Sequence, residues 1–164
     1  MLEAGTGIRN LGRLIPGGAF VVVIITHMHW DPMHGLPFAS ALNQADTTVD
    51  LRLPVEGGTA RELLRSAMSP PLFPIGPEGL SGDWTFEGVP GLEGLKVDTL
   101  SVRTVNVQHK GARTVAVRVD SPTCSFAYLP DHVPFDEIAP EHIHATLGSA
   151  FEAFRDSARE ATDR

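Results

Sequence analysis

Apolar residues fall in short runs punctuated by Gly and Pro, and each run carries its own periodicity. Residues 19–26 hold six consecutive apolar residues, Phe20 to Ile25, most of them β-branched, which predicts a strand buried on both faces. It runs directly into His27-Met28-His29-Trp30-Asp31. After Gly35, residues 36–43 predict one or two helical turns, and residues 49–54 alternate like a strand. Residues 59–68 place Leu63, Leu64 and Met68 on one helical face, and the Pro-rich stretch 69–74 is expected to be loop. Three more strands are expected at 95–107, bent or broken, at 113–120 and at 124–129, each bounded by turn residues. From Pro140 onward, Ile143, Leu147, Phe151, Phe154 and Ala158 recur at spacings of three and four, which predicts one amphipathic helix.

A length of 164 residues suits one domain with a sizeable core, so residues 1–164 are taken as a single unit with a helical tail at 136–164. Hydrophobic residues make up 42% of the chain, yet no run approaches the ~18 apolar residues of a membrane span. A membrane partner and wholesale disorder are both disfavoured. A formal charge of −7 gives no bulk attraction to a polyphosphate, which disfavours nucleic acid and leaves a small molecule as the expected partner. Cys124 is the single cysteine, so neither a disulfide framework nor a Cys-rich zinc site can be built, and its expected place is a small core position. With no basic and apolar leader at Met1, the expected location is the cytoplasm.

The candidate chemistry lies where the first strand ends. If the strand direction persists, His27, His29 and Asp31 project to one side, roughly 6–7 Å apart per step. Imidazoles and a carboxylate are the donors of a hydrolytic zinc-like ion whose open position takes water. A phosphate could be gripped there as well. Gly5-x-Gly7 lacks a strand-to-helix context and is expected to be a tight turn rather than a dinucleotide loop.

Thr26-His27-Met28-His29-Trp30-Asp31 followed by Gly35-Leu36-Pro37-Phe38 resembles the signature of the metallo-β-lactamase-fold hydrolases, in the branch near ribonuclease Z and the small phosphodiesterases. Supporting segments follow the family's order: Glu3-Ala4-Gly5-Thr6-Gly7, His109-Lys110-Gly111 and Tyr128-Leu129-Pro130-Asp131-His132. The resemblance implies an α/β fold, the four-layer αββα sandwich, with a site that usually holds two zinc or similar ions. By that likeness His27, His29 and His109 are ligands of the first metal. Asp131 is the bridging ligand, and Asp31 is a second-metal ligand that also orients the attacking water, which makes it the candidate catalytic residue.

Two departures matter. The family has a histidine directly after the motif aspartate, and this chain has Pro32, which offers no ligand atom. The family's last histidine, from a later strand, has no equivalent after Val133. One divalent ion, most simply zinc, is therefore expected rather than two. His34 is a weak substitute because a turning loop aims it elsewhere, while His132 is expected on the opposite face and His142 and His144 in solvent. Lys110 and Arg113 could meet a substrate phosphate, with solvation the blander role. The family's opening and closing strands are not evident, so the fold is expected to be incomplete at both ends. Sheet surface left bare in this way would need a partner, such as a second copy. The leading expectation is a metal-dependent hydrolase acting on a phosphodiester or related small ester. A catalytically degenerate relative with a binding role or none, and an α/β interaction domain without metal, remain alternatives.

Overall fold

The computed structural model describes residues 1–131; the tail helix expected beyond Pro140, and His132, His142 and His144, lie outside them. The described chain falls into two compact units that divide after Val89.

The first unit is built on a parallel sheet of order β1-β2-β3, with β1 at Phe20–Ile24, β2 at Thr48–Leu53 and β3 at Asp83–Gly88. Parallel strands need crossovers. The first crossover, from β1 to β2, carries the histidine motif and a 3-10 turn at Leu36–Phe38; the second carries helix α1 at Ala60–Ala67. Burial along β1 grows from an exposed Phe20 to a buried Val22-Val23-Ile24, so the strand is fully enclosed only where it approaches the motif. Val23, Ile25, Leu36, Leu51, Leu64 and Trp84 meet in one core.

Helix α1 starts where its sequence says it should. Thr59 Oγ1 accepts from the Glu62 amide at 3.2 Å, and the Glu62 carboxylate accepts from the Thr59 amide at 2.8 Å, a reciprocal capping box. That hydrogen bond to the Thr59 backbone, aided by the Thr59 hydroxyl, holds the Glu62 carboxyl below its usual range. Strand β3 was not expected, although Trp84 and Phe86 alternate with polar residues as a strand's should. It pairs with β2 through Val49↔Trp84 and Leu51↔Phe86.

Ahead of the sheet, residues 1–3 run alongside β1. The Glu3 amide donates to Ile24 O at 2.9 Å and the Ile24 amide to Met1 O at 3.0 Å. A 3-10 helix, Thr6–Arg13, follows where only a tight turn was expected, anchored by buried Ile8 and by Leu11.

The second unit is an antiparallel sheet of order β4-β5-β6-β7: Leu95–Val97, Leu100–Val107, Thr114–Asp120 and Ser125–Tyr128. The expected break in 95–107 falls at residues 98 and 99, with Asp98 in the left-handed region at φ 53°. β6 is central, and Thr114 to Arg118 are all buried along it. Arg118 is held by Asp120 at 2.7 Å and by Ser125 at 3.0 Å, so the buried guanidinium meets a carboxylate. Cys124 corrects the core expectation. It is exposed in the turn before β7, where its amide donates to Ser121 Oγ at 3.0 Å, because the chain turns there instead of entering the strand. Among the described residues no helix is long and apolar enough to cross a membrane.

Candidate metal centre

The motif leaves the C-terminal end of β1 in the parallel sheet. The strand ends at Ile24 and residues 26–30 bend, so the alternation expected to line up His27, His29 and Asp31 does not continue. The bend brings two of them closer than a strand would: the rings of His27 and His29 lie 4.8 Å apart, edge to face at 87°. His27 is buried, His29 half-buried and Asp31 exposed in the following turn.

Behind His27 stands a relay that the sequence did not disclose. Glu3 sits at φ 62°, a left-handed conformation that costs a non-glycine residue about 1 kcal/mol. There its carboxylate accepts from the Thr26 amide at 3.3 Å and from the Thr26 hydroxyl. An ionised carboxylate can only accept. The Thr26 proton is thereby committed to Glu3, and Thr26 Oγ1 accepts from His27 Nδ1–H at 3.1 Å. The tautomer follows: Nδ1 carries the proton and Nε2 the lone pair, the form a metal-binding imidazole needs, with its outer nitrogen held by hydrogen bonding. Thr26 and His27 are buried in this relay and Glu3 is half-buried. The only advance signal was Glu3 at the head of the Ala4-Gly5-Thr6-Gly7 segment.

That segment also clamps the motif loop. The Ala4 amide donates to Pro32 O at 2.6 Å, and the Gly35 amide to Ala4 O at 2.8 Å. A Cβ on Gly5 would lie 2.6 Å from Asp31 O, and one on Gly35 would run into the carbonyl oxygens of Ala4 and Gly5. Both positions need glycine because two backbones touch. Pro32 is buried in this clamp, where its carbonyl accepts from the Ala4 amide. His34 Nδ1 is bonded to Trp30 O, so one of its nitrogens is occupied within the loop.

In the second unit, His109 lies two residues beyond β5 and is half-buried, and Asp131 lies three beyond β7 and is exposed. β5 and β7 are each antiparallel to β6 and hence parallel to each other, which sets both residues beyond C-terminal strand ends at one edge of that sheet. Arg113 Nε donates to Asn106 Oδ1 at 2.9 Å, and Lys110 is exposed.

His27 and His29 fit a divalent cation: two adjoining imidazoles, one locked as the Nδ1–H tautomer, are N ligands that zinc takes.

The family model described as the beta-lactamase superfamily domain matches residues 4–161. No curated protein matches the chain. Among solved structures, the metallo-beta-lactamase fold protein YhfI from Bacillus subtilis is similar at 15% identity with a TM-score of 0.55, over 79% of this chain and 50% of that one. Human tRNase Z, short form, is similar at 15% identity and TM-score 0.55, over 82% and 60%. A diphosphatase of the PhnP family is similar at 16% identity and TM-score 0.50, over 82% and 49%. These likenesses establish the fold, and the chain spans about half to three-fifths of the length of these structures.

Proposed function

The chain belongs to the beta-lactamase superfamily, and on that premise we propose that it is a metal-dependent hydrolase of phosphodiesters or related small esters, holding one zinc-like ion. The observation that carries this reading is the edge-to-face pair His27 and His29, with Nε2 of His27 set up by Thr26 and Glu3. The proposed ligands are His27, His29, His109 and Asp131. When bound, such an ion lowers the pKa of a water to about 7 and polarises the bond to be cleaved. The residues do the rest. His27 and His29 would hold the ion, Glu3 and Thr26 keep the Nδ1 proton of His27 in place, and Asp31 orients the attacking water. The proposed partner is a small-molecule substrate, and the proposed location is the cytoplasm.

Pro32 favours a second reading, a protein that binds metal and substrate but hydrolyses weakly, since clamping by two ions needs donors that Pro32 does not supply. Metal analysis together with turnover of bis(4-nitrophenyl) phosphate decides between them. One equivalent of zinc, lost in His27→Ala and His109→Ala but kept in His34→Ala, with turnover that follows metal content, supports the hydrolase. One equivalent without turnover supports the second reading. No zinc in the unaltered chain contradicts both.

A further inference from the structure

A cavity of about 170 Å³ opens beside the motif loop, wholly within the first unit. Its floor is Met33, Leu36, Leu64 and Met68, all buried. Its rim is Trp30, Phe38 and Leu72, which are 64%, 59% and 72% exposed. Large apolar side chains standing this far into solvent around one hollow are unusual unless something fills it. Phe38 and Phe73 meet edge to face at 6.0 Å and give one wall a defined shape. No charged side chain lines the cavity, and the one imidazole there, His34, has its Nδ1 engaged by Trp30 O.

We propose that this cavity binds a single neutral apolar ring, the non-reacting arm of the substrate. Size sets the ring: an apolar cavity of about 150 Å³ holds one benzene. Chemistry sets the rest, because a charged or strongly polar group would lose its water here without gaining a partner. The position assigns the ring to the substrate. Trp30 stands between His29 and Asp31 in the chain, so the wall begins one residue, about 3.8 Å of backbone, from two residues of the proposed site. The assignment to a substrate arm rests on the hydrolase reading, whereas binding of the ring does not.

Toluene titrated into the zinc-loaded full chain tests the site, read by the methyl NMR signals of Met33 and Met68. Ala67→Phe fills the cavity, and Leu72→Glu puts a charge on an exposed rim position where folding is not at stake. Saturable shifts in the unaltered chain, lost in Ala67→Phe and weakened about tenfold or more in Leu72→Glu, are expected. Absence of saturable shifts overturns the proposal whatever the activity. The arm is tested by the ratio of kcat/KM for benzyl ethyl phosphate over diethyl phosphate. A ratio of roughly ten or more, falling toward one in both variants, is expected. A ratio that the variants leave unchanged overturns the arm assignment. Toluene binding with no hydrolysis of either ester overturns the hydrolase reading and the arm together, and leaves the ring site standing.

Discussion

Thr26 tests whether the relay behind His27 matters. Thr26→Val keeps shape and burial but cannot accept from Nδ1–H, so zinc affinity is expected to fall about 10–100-fold in competition titrations, with the circular dichroism spectrum unchanged. An unchanged affinity would show that the relay is ornamental. Gly35 tests the clamp: Gly35→Ala forces a methyl against the Ala4 and Gly5 carbonyls, and a loss of about 1–3 kcal/mol is expected in urea denaturation. At this scale the sequence disclosed what spacing encodes. His27, His29 and Asp31 could be proposed as site residues from the sequence because their donors and intervals are themselves chemistry, and Pro32 stood out because it lacks a donor. Glu3 was not legible, since its role depends on a left-handed backbone and on a neighbour 23 residues away. Cys124 was misplaced because strand-like composition continued into a turn.

Among the elements, α1 was legible to within a residue because Thr59 and Glu62 form a local signal, and Thr59→Ala is expected to cost about 1 kcal/mol in thermal unfolding. β1, β2, β6 and β7 were legible from apolar runs between turn residues. β3 escaped because it is bounded by Asp83 and Gly88, poor strand formers, and is held by its pairing with β2. The 3-10 helix Thr6–Arg13 escaped because a polar stretch gains its shape from the contacts of Ile8 and Leu11. In the second sheet, burial pushes the Asp120 carboxyl up, but hydrogen bonds from Ser125 and Arg118 and the charges of Arg118 and Arg103 outweigh it and hold the group below its ordinary value. A carboxyl depressed on folding adds stability above its unfolded pKa and loses it as pH falls toward the folded one. The melting temperature is therefore expected to drop as pH falls below about 4, and Asp120→Asn to melt lower at pH 7 with a flatter acid limb. Parallel acid limbs for the two proteins would contradict this.

For the molecule as a whole, the family match over residues 4–161 and the sheets of its two units establish a metallo-β-lactamase fold that spans part of the length of its structural neighbours. The central proposal is that one ion is shared by donors whose residues follow three different strands, β1, β5 and β7. Anomalous scattering from crystals of the zinc-loaded protein, collected on both sides of the zinc edge, tests it most directly. The expected result is one peak per chain, within bonding distance of His27, His29, His109 and Asp131. Two peaks, no peak, or a peak bonded without His109 and Asp131 would contradict it.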